Sequence, residues 1–446
     1  MSRPARRRAA SLGRLAGWVT PHHEDVLANG QRVLCIPREA ANRAIVTLLA
    51  RIGSRFETGD RNGISHFLEH MLYRGCRSQK TAHEQALAFE KLGGTMYAAT
   101  QADYGTLTLA VPPESLERAF ATFAEVTVEP RFSAIEIERG IVREEILEDL
   151  DDEGRQIDAD NLARELIYGS HPLGFTITGS LAKLQRFDRR MLRRHHARHY
   201  TGANLVLAFS GRVEPERCFR LARRYFSSLP RGERAPVGPP PTEQLEPRSL
   251  HAPNVSSQTA LRIAFRAFGD RDPREPATEM LLRVLDDGMS TRLYDRICDS
   301  KGLCYDVGAL YESYEDDGVF DVAAEVRHDR VVAVAREVGR VLTELRREGP
   351  SEDELHKAKA RHRWQMQAML DESEALGGFY GLAALADLPP TPLERHEQLC
   401  AVTAEDVRRA AEQVFRRERM SVVTVGMLTK EQKRALRGGV LELGPG

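Results

Sequence analysis

Arg231–Pro247 reads RGERAPVGPPPTEQLEP and divides the 446-residue chain near its middle. Pro236, Pro239, Pro240 and Pro241 stand close together and apolar residues are nearly absent. Such a composition forms an extended, exposed connection between compact units. Halves of nearly equal length point to internal repetition, and three pairs of segments match in the same order. Ser133-x-x-Glu136 and Ser351-x-x-Glu354 read as capping boxes that open long helical patterns. YTGANLVLAFSG (Tyr200–Gly211) and FRRERMSVVTVG (Phe415–Gly426) share a helix end, a turn, a short apolar strand and a Gly at identical spacing. GTMY (Gly94–Tyr97) and GLCY (Gly302–Tyr305) form the third pair.

Each half mixes strands and helices. Leu107, Leu109 and Val111 alternate on one face of Thr106–Val111, as do Leu261, Ile263 and Phe265 in Leu261–Phe265. Helical patterns cover Ile64–Leu72, Pro113–Val126, Ser133–Leu150 and Ser351–Leu370. Helices between strand pairs that look like hairpins predict an α+β fold with mainly antiparallel sheets. The expected organisation is a basic extension at 1–20, one domain at 21–230, the linker at 231–249 and a similar domain at 250–446.

Composition narrows the function classes. The chain has 56 Arg and 8 Lys against 65 acids, so its net charge is −1; that balance argues against coating nucleic acid. Hydrophobic residues at 41% exclude a disordered or collagen-like chain. No stretch reaches the ~18 apolar residues of a membrane span. Six scattered cysteines without a CxxC are no disulfide framework, which favours a reducing compartment. Before Glu24 the chain carries Arg3, Arg6, Arg7, Arg8 and Arg14 and no acid. Arg14 interrupts the apolar Leu12–Trp18, so a secretory signal is not expected. A basic tail on a cytoplasmic protein is the first reading, an organelle transit peptide the second.

The chemistry lies in GISHFLEHMLYRG (Gly63–Gly75). On a helix His66 and His70 are one turn apart and share a face, so both imidazoles reach one metal. Glu69 lies beside the second His, close to where a metal-activated water would stand. A catalytic zinc takes three protein ligands and keeps an open position. The acid-rich pattern Ser133–Leu150, with Glu138, Glu144, Glu145 and Glu148, is the best source of the third. Glu138 and Glu145 share a face and Glu144 is rotated by ~100°. The residues alone do not choose among these acids.

Four segments in order, GSRFE (Gly53–Glu57), GISHFLEHMLYRG, LGGTMYAAT (Leu92–Thr100) and ERGIVREEI (Glu138–Ile146), resemble the pitrilysin/insulinase family of zinc peptidases, whose signature is HxxEH. The length is similar to the half-size branch that includes mitochondrial processing peptidase. The resemblance implies one Zn2+ per chain on His66, His70 and Glu145, Glu69 as general base, and Glu138 orienting a ligand. It implies two similar halves closing as a clamshell over short or unfolded peptides. The peptide would run along Gly94, Thr95, Tyr97 and Ala98, with Tyr305 near the reacting carbonyl. It also implies a homodimer, or a heterodimer with a related subunit. Aligned by the capping boxes, Glu138 faces His356 and Glu145 faces Arg363, so the second half reads as a non-catalytic copy. Two positions depart from the family: Cys298 stands where it carries an Arg, with Arg296 two residues away, and Tyr97 where many members carry an Asn.

Rival sites are weaker. His195 and His199 are also one turn apart, but Arg189, Arg190, Arg193, Arg194 and Arg198 surround them and would repel a cation, so the segment reads as a surface helix. Cys76 reads as a buried small residue. The competing function is a weakly active or inactive peptide-binding or scaffold subunit of a heterodimeric complex.

Overall fold

The computed structural model describes residues 21–239, 241–388 and 391–437; the basic extension at 1–20 and Pro240 lie outside them. Among the described residues eleven strands form two sheets. The first is built from β1 (His23–Val26), β2 (Arg32–Pro37), β3 (Ala44–Ala50), β4 (Thr95–Thr100), β5 (Gly105–Val111) and β6 (Leu205–Gly211), in the order β1-β2-β6-β3-β5-β4. The second is built from β7 (Arg248–Pro253), β8 (Thr259–Ala267), β9 (Val307–Ser313), β10 (Gly318–Val326) and β11 (Met420–Gly426), in the order β7-β11-β8-β10-β9. In each sheet one parallel pair, β2–β6 or β7–β11, is followed by antiparallel pairs. The fold is α+β with two halves of the same strand order and polarity, apart from β1, which the first sheet adds beside β2.

Of the three matched segments, the β6/β11 pair marks equivalent strands: both are buried throughout and end in a Gly with positive φ. The capping boxes are not equivalent. Ser351 accepts from Glu354 N while Glu354 accepts from Ser351 N. Ser133 instead donates to the Arg74 carbonyl at 2.7 Å, between Phe132 and Ala134, which both take positive φ, and the helix begins only at Ile135. In the third pair, Gly94 leads directly into β4, whereas Gly302–Tyr305 ends before β9 begins.

Runs such as AIVTLLA in β3 and LVLAFSG in β6 are buried at every position, as required where both faces of a sheet are covered. One face of the first sheet carries Leu34, Leu49, Val206 and Ala208 against Leu376, Tyr380 and Ala384 of helix Ser373–Ala386. On the other face Phe120 packs on Phe209 and Phe226, with ring centroids 5.2 and 5.8 Å apart. In the second sheet Val423 and Val425 take Ala159, Leu162 and Ala163 of helix Ala159–Tyr168. Each fully buried large apolar side chain contributes about 1.5–3 kcal/mol.

These two helices come from the opposite halves of the sequence. Grouped by contacts, the described residues within 21–145, 176–238 and 365–395 form one compact unit, and those within 146–175, 239–364 and 396–437 the other. A cut at the Pro-rich linker follows chain order, not packing.

Nor is the linker uniformly exposed. Ala235 is buried, its N–H held by Asn204 Oδ1 at 2.7 Å and its carbonyl by Arg51 Nε at 2.8 Å. Buried Gln244 donates to the Met420 carbonyl at 2.8 Å. Asn204 also donates to Thr201 Oγ1 and the Glu233 carbonyl, both at 2.9 Å. Asn204→Ala leaves buried partners unpaired and is expected to cost about 2–3 kcal/mol. Urea unfolding followed by circular dichroism measures this, and an unchanged midpoint would show that Asn204 does not hold the linker.

Candidate metal-dependent active site

The site starts at helix Ile64–Met71, which is buried except toward Glu69 and His70. Its N-terminus meets a carboxylate from earlier in the chain. Glu57 is buried and accepts from Gly63 N at 2.8 Å, Ser65 N at 2.7 Å and Asn62 Nδ2 at 3.2 Å. Burial pushes the Glu57 pKa up, opposed by those hydrogen bonds. Gly63 takes φ 97°, and a Cβ there would lie 2.6 Å from the Thr178 carbonyl oxygen and 2.8 Å from Gly179 Cα. A backbone this close to a second segment needs Gly on both grounds.

Helix Arg189–His199 packs against this one as a surface helix whose histidines face inward. His195, His196 and His199 are buried and the arginines occupy the opposite side. Their ring nitrogens lie at hydrogen-bond distance from Ser65 Oγ, the Thr127 carbonyl and the Arg51 carbonyl, at 2.9, 2.8 and 2.9 Å. Burial lowers all three pKa values, so the imidazoles are neutral packing elements. Cys76 is buried.

Helix Ile135–Glu148 supplies the acids. Among the described residues one group of three metal-ligating side chains converges: His66, His70 and Glu145, with donor atoms within 4.8 Å of one another. His66 Nε2 lies 3.2 Å from His70 Nε2 and 3.3 Å from Glu145 Oε1, and His70 Nε2 lies 3.4 Å from Glu145 Oε2. Donors in a tetrahedral zinc shell, with bonds of ~2.0–2.1 Å, stand about 3.3 Å apart. The donor set and its spacing fit zinc. Glu144, one residue earlier, turns away to Arg143 at 2.5 Å.

Glu138 is buried and bonds His70 Nδ1 at 2.8 Å while its other oxygen takes Arg74 Nε. The bond fixes the tautomer that presents Nε2 to a metal. Burial works against charging His70, but Glu138 and Glu145 outweigh it and push its pKa up to about 9. Hydrogen bonds from His66 and His70 hold Glu145 well below the usual carboxylate range. Burial opposes ionisation of Glu138, yet His70 and Arg74 hold its pKa down.

Glu69 stands outside the cluster. Thr100 Oγ1, at the end of β4, donates to Glu69 Oε2 at 2.5 Å. The Glu69 charge adds to burial in raising the Tyr73 pKa to about 12 and pushes up Tyr200 as well. Thr95, Tyr97 and Ala98 lie on β4, whose outer edge is unpaired among the described residues, and Gly94 precedes it. The Tyr97 hydroxyl bonds Glu374. Tyr305 belongs to the other compact unit and is 92% exposed.

Sequence reading had no account of Glu57, Arg74, Ser65–His195 or Thr100. Arg74 carried a usable signal, one turn after His70 on the same face. Ser65 and His195, and Thr100 and Glu69, meet across long sequence separations, while Glu57 reaches the helix start through the turn between them.

Comparison with known proteins gives the family and the fold. Residues 32–179 match the model of the insulinase family, peptidase family M16, and residues 186–361 match that of the peptidase M16 inactive domain. An uncharacterized zinc protease of Rickettsia bellii is 28% identical over 408 residues, covering 89% of this chain and 96% of its own length. An uncharacterized zinc protease of Bacillus subtilis is 27% identical, over 87% of this chain and 94% of its own. A protease from Helicobacter pylori has the same fold, with TM-score 0.84 at 21% identity over 92% of this chain and all of that one. The M16 inactive domain structure from Pseudomonas fluorescens gives TM-score 0.84 at 23% identity over 91% and 98%. Two adjacent family models in order, over a histidine–glutamate cluster of ligand spacing, place the chain in the pitrilysin/insulinase family of peptidases, M16.

Proposed function

We propose that the protein is a zinc-dependent endopeptidase acting on short or unfolded peptides, with His66, His70 and Glu145 holding one zinc and Glu69 as general base. One observation carries this reading: three donors converge at ligand spacing, and a fourth acid outside that group is held separately by Thr100. When bound, zinc supplies Lewis-acid polarisation of the scissile carbonyl and lowers the pKa of a water.

The chain's own residues do the rest. Glu138 keeps the Nδ1 proton of His70, leaving Nε2 for the metal. Thr100 occupies Oε2 of Glu69, so Oε1 is the free acceptor. Glu69 takes a proton from the attacking water and returns it to the departing amine. The unpaired edge of β4, from Gly94 to Ala98, offers backbone groups to an added peptide strand. Tyr305 donating to the developing oxyanion, and action as a homodimer or beside a related subunit, follow from the family resemblance. No helix among the described residues is long and apolar enough to cross a membrane.

Glu69→Gln is expected to bind zinc as wild type does and to lose about 10²–10⁴-fold in kcat on an unstructured peptide. Zinc-free wild type, or equal cleavage by both proteins, would overturn the assignment and leave a peptide-binding subunit as the reading.

Thr100→Val frees Glu69 to rotate, so kcat is expected to fall about tenfold with KM nearly unchanged, and Thr100→Ser to restore it. A change in KM alone would place Thr100 in peptide binding instead.

Zinc uptake requires His70, whose pKa stands at about 9 without metal, to give up its Nε2 proton. Affinity is therefore expected to rise about tenfold per pH unit from about pH 6 to pH 8. Calorimetric titration in buffers of different ionisation enthalpy also counts the proton released, and a pH-independent affinity would contradict the raised His70 pKa.

A further inference from the structure

The six cysteines occupy three kinds of environment. Cys35 and Cys218 are free, fully buried thiols close to each other, and Cys76 is buried near Glu125. Cys400 lies beside His396. Cys298 and Cys304 differ: both are partly exposed and their sulfurs are 3.9 Å apart. Their spacing, C-x5-C, is no recognised redox pattern; the fold brings them together. Cys298 sits in the π-helical turn Tyr294–Asp299, and the chain reverses at Gly302, which takes φ 54°. Gly302 N bonds the Cys298 carbonyl at 3.0 Å and Leu303 N the Ile297 carbonyl at 2.9 Å. Arg330 donates to the Gly302 carbonyl from beyond β10. The backbone is thus tied on both sides of the thiols, while Asp299, Ser300 and Lys301 leave the loop open to solvent.

We infer that Cys298 and Cys304 are an oxidisable dithiol which hydroperoxides convert to an intramolecular disulfide. In the first step the Cys298 thiolate attacks one peroxide oxygen, the O–O bond breaks, and Cys298 becomes a sulfenic acid with release of hydroxide. In the second, the Cys304 sulfur attacks the sulfenic sulfur, the S–OH bond breaks, and the Cys304 proton leaves with the oxygen as water. For hydrogen peroxide the sum is two thiols and one peroxide giving one disulfide and two waters.

Either thiol can donate to the other across this contact, and the same two steps hold with the roles exchanged. Burial raises both thiols, Cys304 to about 12 with Asp306 adding to the effect, so initiation is slow and needs sustained peroxide. Once formed, the sulfenic acid meets a thiol already in contact, and closing to a disulfide needs an approach of about 2 Å. Internal pairing therefore outruns further oxidation. This inference does not depend on the peptidase reading.

The test uses the full-length protein and hydrogen peroxide. Oxidised protein is blocked with an alkylating agent, digested with trypsin and analysed by mass spectrometry without reduction. The expected product links Ile297–Lys301 to Gly302–Arg327 and lacks two hydrogens. Alkylatable thiols fall by two, dithiothreitol reverses the change, and circular dichroism of the intact protein is unaltered. In Cys298→Ser the linked product is lost while the Cys35 and Cys218 thiols are unaffected. Two alkylatable thiols at these positions after peroxide, or separate sulfonic acids with no link, would overturn the inference. A link between two chains, seen as a doubled mass, would overturn it equally.

Discussion

The Glu57 carboxylate is buried beneath the first turn of the motif helix, where its oxygens take the N–H groups of Gly63 and Ser65. Those N–H groups have no partner within the helix, and a buried helix start without acceptors would be costly. A carboxylate there also meets the positive end of the helix dipole. Glu57 thereby sets where the helix begins and which way it points. The histidines follow: with the start set at Ile64, His66 and His70 emerge on the side where helix Ile135–Glu148 passes. Ser65, whose N–H is on Glu57, shares a hydrogen bond between its hydroxyl and the ring of buried His195, so the second histidine pair braces the first.

The same economy of polar groups runs through the scaffold. Each sheet is covered on a face by a helix from the opposite half of the sequence. Helix Ser373–Ala386 has small residues where it meets the first sheet: a Cβ on Gly381 would come within 2.3 Å of Leu49 Cδ1, and one on Gly377 within 2.6 Å of Ser210 Oγ. In the other unit, Arg164 binds Glu312 and Tyr314, and Arg262 binds Asp160, tying helix Ala159–Tyr168 to its sheet. Much of the arginine surplus is spent on such pairs within each unit. The net charge near zero reflects local pairing and not an absence of charge.

At the candidate site, charge is arranged around a cation. Glu138 and Glu145 converge on two imidazoles, and Arg74 neutralises the far oxygen of Glu138. Burial disfavours charge on His70, but the two carboxylates outweigh it and push its pKa up. The donors of the two imidazoles and Glu145 already stand at the spacing of a tetrahedral zinc shell.

What the sequence by itself determined is local. Periodicity marked the strands in Gly105–Val111 and Thr259–Ala267 and helices near Ile64, Ile135 and Glu352. Helical spacing put His66 and His70 on one face. The β6/β11 match identified the repeat because a short apolar strand followed by a positive-φ Gly needs only neighbouring residues to specify it. Tertiary structure decided the remainder. Which glutamate of Ile135–Glu148 approaches the histidines depends on how that helix is rotated. That rotation follows from Arg74 on Glu138 and from the left-handed Phe132 and Ala134 that delay the helix start. The burial of His195, His196 and His199, the exchange of helices between halves, and the meeting of Cys298 with Cys304 depend on partners elsewhere in the chain. A one-dimensional pattern records which face a residue takes on its own element; which element covers that face is settled by the packing of the whole chain.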